Sequence, residues 1–134
     1  MKRNTNIFLV SILIAFASCS FTSKSFDNPD ETKTPPKTNA ATIKLGDIAL
    51  TKVQLEPGWK WSEDIKPMVG TDSCQAKHVG VIIEGSITCR HDDGSEITYS
   101  AGDAYAIEPG HDAWVVGNAQ AVAYEFHGVW GEKH

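Results

Sequence analysis

Between residues 43 and 127 no ten-residue stretch keeps a helical period; the chain is a run of short β-type segments cut by glycine and proline. Such a pattern restricts the fold to an all-β sandwich or barrel, because segments this short bury an apolar face only by pairing and stacking on one another. The segments fall at 48–55, 78–83, 86–91, 96–99, 104–107, 114–116 and 122–127. Turn residues separate them, notably Glu56-Pro57-Gly58, Glu84-Gly85, Asp92-Asp93-Gly94 and Pro109-Gly110. Trp59-Lys60-Trp61 places two aromatics on one face of an extended stretch, and residues 62–69 read as polar and irregular.

The turns suggest registers. A hairpin centred on Asp93 pairs His91 with Ser95, Cys89 with Ile97 and Ile87 with Tyr99 on its inner face. The other face pairs Thr88 with Thr98 and Arg90 with Glu96, a favourable set for a wetted surface. A second hairpin, centred between Glu84 and Gly85, would pair Ile82 with Ile87, Gly80 with Cys89 and His78 with His91. One interior face then carries His78, Gly80, Ile82, Ile87, Cys89, His91, Ile97 and Tyr99, while Val79, Val81 and Ile83 face outward. In this register Cys74 lies too far from Cys89 for a disulfide, which needs Cα atoms within ~7 Å.

The chemistry concentrates between Gly70 and Gly85, where a polar loop holding Asp72 and Cys74 leads into the strand opened by His78. Carboxylate, thiolate and imidazole are all metal donors. Each also has a plainer use: Asp forms turns, Cys packs as a small hydrophobe, and a buried His hydrogen-bonds a carbonyl or a second His. Trp59, Trp61, Tyr99, Tyr105 and Trp114 supply rings that stack on a planar ligand or simply fill a core. Glu56, Glu63, Asp64 and Glu84 have no defined pairing, so no acid/base dyad is indicated.

The N-terminal part differs in character. Lys2 and Arg3 precede a mostly apolar run over 7–17, too short for an ordinary bilayer span. It ends in Phe16-Ala17-Ser18-Cys19, which resembles the lipobox of a bacterial lipoprotein and implies a signal peptide over 1–18 and a lipidated Cys19. An ordinary secretory signal cut near Ala17 or Ser18 is the alternative. Residues 19–41, rich in Ser, Thr, Lys, Asp and Pro, read as a disordered tether, with an extra edge strand as the alternative. A folded domain over 42–130 and a tail at 131–134 complete the division. The whole chain carries net charge −5, and losing the two leader cations would take it to −7. An acidic domain gives no electrostatic case for nucleic acid, and any membrane contact is expected through the lipid alone. The expected location is the bacterial cell envelope.

From residue 55 to 126 the chain resembles a small single-domain cupin, which implies a jelly-roll barrel. Gly85 matches the glycine closing that family's first motif, Gly70 roughly its opening glycine, and Gly102 and Gly110 the second motif, with Pro109 one place from the expected proline. The family's His-x-His, Glu and second-motif His fall on Asp72 and Cys74, His78, and Ala113, so no usual ligand is kept. The spacing survives with other donors, and His111 lies two residues before Ala113. The resemblance therefore admits a divalent transition metal, Zn or Fe, held by Asp72, Cys74, His78 and His111. His78, His111, Trp59, Trp61 and Tyr99 are the residues expected to bind a small molecule, with His91 as a neighbour of His78. Three functions stay open: a small-molecule-binding protein, a metal-dependent oxygenase or isomerase, and a metal-free dimeric scaffold. The apolar outer strip Val79, Val81 and Ile83 favours a homodimer, although the 43–55 segment could instead pack over it.

Overall fold

The structure, a computed structural model, describes residues 21–127. The expected leader at 1–18, Cys19 and the tail at 131–134 lie outside the described residues. Within them the order is β1 (Glu31–Lys33), β2 (Thr38–Leu45), β3 (Ile48–Leu55), α1 (Trp61–Asp64), α2 (Lys66–Val69), β4 (His78–Glu84), β5 (Ser86–His91), β6 (Glu96–Ser100), β7 (Ala104–Ile107), β8 (His111–Val115) and β9 (Ala121–His127). The strands form a six-stranded sheet in the order β1-β2-β3-β9-β4-β7 and a three-stranded sheet in the order β6-β5-β8. This is the two-layer all-β sandwich that the segment pattern demands.

The strand expected to form the lining does so. Along β4, His78, Gly80 and Ile82 are buried while Val79 and Val81 are half-buried and Ile83 is exposed. The β5–β6 register is also as expected, with Ile87 opposite Tyr99, Thr88 opposite Thr98, Cys89 opposite Ile97 and Arg90 opposite Glu96. The hairpin expected between β4 and β5 does not form. Instead β4 pairs with β7 and β9, and β5 with β6 and β8. Gly85, at φ 71°, carries the chain from one sheet to the other rather than folding it back. A Cβ there would collide with the Gln120 carbonyl, so the crossing requires glycine. His91 consequently sits opposite His111, not His78.

The ordered domain starts ahead of residue 42. Although residues 31–41 are mostly polar or small, β1 and the first half of β2 lie within them, and β1 is an edge strand of the large sheet. Alternation explains this. Thr38, Ala40 and Thr42 turn inward along β2 and are buried, and the Thr42 and Thr51 hydroxyls hydrogen-bond at 2.8 Å across the β2–β3 ladder. Lys37 reaches the Asp64 carboxylate at 3.2 Å and ties this segment to α1. Residues 62–69, expected to be irregular, wind into α1 and α2, each a single turn and so too short to leave a period in the sequence. Gly70, at φ 73°, ends α2 with its N–H on the Lys66 carbonyl.

The core lies between the sheets. Trp59, Leu55 and Ile82 are its most deeply buried large side chains, each contributing roughly 1.5–3 kcal/mol by leaving water. Among the described residues no helix is long and apolar enough to cross a membrane.

Candidate metal centre

Three donors converge inside the sandwich. The ligand atoms of Cys74, His78 and His111 lie within 4.8 Å of one another, and all three residues are buried. Each comes from a different element. His78 opens β4, His111 opens β8, and Cys74 lies in the loop between α2 and β4. An isolated bridge holds that loop to β8: the Cys74 N–H donates to the His111 carbonyl at 2.7 Å, and the Gly110 N–H donates to the Cys74 carbonyl at 2.7 Å.

Both imidazoles are oriented by their Nδ1 atoms. His78 Nδ1–H donates to the Glu125 carboxylate, 3.1 Å from each oxygen. His111 Nδ1–H donates to the Glu108 carbonyl at 2.7 Å. Each ring then turns its Nε2 edge to the thiol, with His78 Nε2 3.6 Å from Cys74 Sγ. The rings meet edge to face, with centroids 5.3 Å apart. An acceptor on the far nitrogen is the arrangement that fixes tautomer and ring orientation in metal-binding histidines.

The electrostatics favour an ionised cluster. Burial pushes the Cys74 thiol up, but hydrogen bonds from His111 and His78 outweigh it and bring the thiol down to about 6. Burial opposes charge on His78, yet the Glu125 carboxylate and Cys74 raise it to about 10. Cys89 behaves oppositely: burial and the nearby Cys74 thiolate push it up to about 12. Cys74 and Cys89 are free, although the β4–β5 register from which their separation was expected does not form.

Beside the cluster is a cavity of about 40 Å³. The large sheet contributes Leu55, His78, Ile82, Tyr105, Ile107 and Glu125; the small sheet contributes Ile87, Cys89, Tyr99, His111 and Ala113, and Trp59 and Trp61 also line it. All five residues expected to bind a small molecule therefore face one space.

Asp72 does not join them. Its side chain is fully exposed and lies 3.9 Å from Lys66. Strand pairing begins only at Cys74, so the alternation that would have turned Asp72 inward is absent there; Ser73 instead turns to Asp92, at 2.9 Å. His91 is also outside the cluster, with Nε2–H donating to the Pro109 carbonyl at 2.9 Å.

No known protein family and no curated protein matches the sequence. Solved structures do match in shape. A sugar phosphate isomerase from a cupin superfamily, from Silicibacter pomeroyi, superposes with TM-score 0.56 at 18% identity, covering 78% of this chain and 73% of that one. The chain has the cupin fold. KdgF from Halomonas sp. agrees at TM-score 0.51 and 14% identity, over 73% of this chain and 84% of that one. A Rhizobium leguminosarum protein of unknown function does so at TM-score 0.54 and 14% identity, over 80% and 96%.

Within this cupin fold, Glu125 is the site residue that sequence reasoning missed, and Tyr105, read there only as a stacking or core ring, is its hydrogen-bond partner. The Tyr105 hydroxyl donates to Glu125 Oε1 at 2.9 Å. Gly80 makes room for it, since a Cβ there would come within 2.8 Å of that hydroxyl. The available signal was the alternation of β9, which sets Ala121, Ala123 and Glu125 on one face: a carboxylate following two small apolar residues.

Proposed function

We propose that this protein binds one divalent transition-metal ion, zinc or iron, through Cys74 Sγ, His78 Nε2 and His111 Nε2, and binds a small molecule in the adjoining cavity. The observation that carries this reading is the pair of Nδ1 hydrogen bonds to Glu125 and the Glu108 carbonyl, which turn both rings toward one thiol. A thiolate with two imidazoles suits borderline ions such as these. When bound, such an ion supplies a Lewis-acidic position open to a ligand. The chain's own residues do the rest: Glu125 orients His78, the β8 bridge fixes Cys74, and Leu55, Trp59 and Ile82 exclude water.

The reading extends to the whole chain. Lipidation at Cys19 would hold the protein in the bacterial cell envelope with the membrane touched only by lipid. A homodimer through the outer face of the large sheet is favoured by Val79 and Val81, half-buried, and by Ile83 and Phe126, each 43% exposed. The 43–55 segment leaves that face open, because β3 lies beside β9 in the same sheet.

Metal analysis of protein purified without added metal tests the central part. Near-stoichiometric zinc or iron is expected, and it should vanish in a Cys74→Ala/His111→Ala double variant. A chain that takes up neither ion, even when incubated with excess, contradicts the reading.

A further inference from the structure

The cavity limits what such a centre can accept, an inference that rests on the metal reading above. Its volume is about 40 Å³. One water occupies roughly 10–15 Å³ of such space, whereas pockets for organic ligands start at about 300 Å³. Its deepest walls, Leu55, Trp59 and Ile82, are no more than 2% exposed and belong to the packed core. They yield little, since protein interiors are close-packed. Ile87, Tyr99 and Ile107, all half-buried, form the side nearest solvent.

Charge narrows the choice further. The two positive charges of a divalent ion are matched by a Cys74 thiolate and the Glu125 carboxylate. Both Glu125 oxygens already accept hydrogen bonds from His78, and Oε1 also accepts one from Tyr105. His111 Nδ1–H is spent on the Glu108 carbonyl. An added anion would stand uncompensated against a mostly carbon wall, which is unfavourable.

We propose that the ligand of this site is a neutral molecule of about two or three non-hydrogen atoms, the class of nitric oxide and carbon monoxide, with Ile82 and Ile107 setting the size limit. Sugars, aromatic acids and other organic substrates are then too large, and small anions are disfavoured by charge.

The test loads the full chain with Fe²⁺ under anaerobic conditions and exposes it in turn to nitric oxide, azide and imidazole, read by electron paramagnetic resonance and optical absorption. Nitric oxide should convert the iron to a nitrosyl signal, while azide, which fits but is charged, and imidazole, which is too large, leave the spectra unchanged. Ile82→Ala and Ile107→Ala should each admit imidazole; two variants guard against one failing to fold. Imidazole or azide binding to the parent as readily as nitric oxide, or no nitrosyl signal from the iron-loaded parent, overturns this proposal and leaves the metal reading intact. Failure to load any iron overturns the metal reading, and this proposal with it.

Discussion

Glu125 accepts the Nδ1 proton of His78 with both oxygens and the Tyr105 hydroxyl with one, so it controls which His78 nitrogen faces Cys74. Replacing it by Gln keeps the shape and removes the charge. Glu125→Gln should weaken metal binding by about 10–100-fold, measured by competition with a chromophoric chelator, with circular dichroism confirming the fold. A metal affinity equal to that of the parent would make Glu125 a core hydrogen-bond partner only. The metal-free chain has a pH dependence of its own. The His78 value is raised, from 6.5 to about 10, so its stabilisation is complete below pH 6.5 and is lost as pH rises through 10. The Cys74 value is lowered, from 9.0 to about 6, so its stabilisation is complete above pH 9.0 and is lost as pH falls through 6. Denaturant melts of the metal-free protein should therefore show a stability plateau between pH 6.5 and 9.0, where the two trends offset, with a decline on each side. The Cys74 thiolate should titrate near pH 6 by ultraviolet absorbance, and titration near 9 would contradict the cluster's electrostatics. Cys74, His78 and His111 were legible in the sequence because motif spacing and alternation are local. Glu125 was not, because it meets His78 from 47 residues away, through a β4–β9 pairing that no turn announces.

At the scale of elements, the β5–β6 hairpin was legible because Asp92-Asp93-Gly94 sets its register within a few residues. The supposed β4–β5 hairpin was not, because a glycine at φ > 0 serves equally to reverse a strand or to pass it to a second sheet. Only the partners β7, β8 and β9, all later in the chain, decide between these. Composition misled at β2 in the same way: its first residues are polar or small, but every second one is inside. Truncation separates tether from strand. A chain starting at residue 31 loses the Phe26–Tyr124 contact and the Asp30 hydrogen bonds to β2, and should melt slightly below one starting at residue 21. A chain starting at residue 42, the boundary expected from composition, loses β1 and half of β2 and should melt at a clearly lower temperature. Equal melting of all three by differential scanning calorimetry would restore the tether.

At the scale of the whole molecule, the outer face of the large sheet and the N-terminal cysteine make separate predictions. Phe26 packs on Tyr124 at 5.3 Å and covers part of that face, while Val81 beside it is half-buried. Sedimentation should show a dimer at micromolar concentration, and Val81→Lys should shift it to monomer. A parent that sediments as a monomer contradicts the shared face. Cys19→Ala should move the protein from the membrane fraction to the soluble envelope fraction; unchanged fractionation removes the lipid anchor. Everything proposed about function depends on a thiolate and two imidazoles binding one ion together. Cobalt substitution tests this most directly, because Co²⁺ reports its donors in the visible and near-ultraviolet spectrum. One Co²⁺ per chain is expected, with an intense thiolate-to-cobalt charge-transfer band that disappears in Cys74→Ser. Cobalt bound without that band, or an identical spectrum in Cys74→Ser, would contradict it.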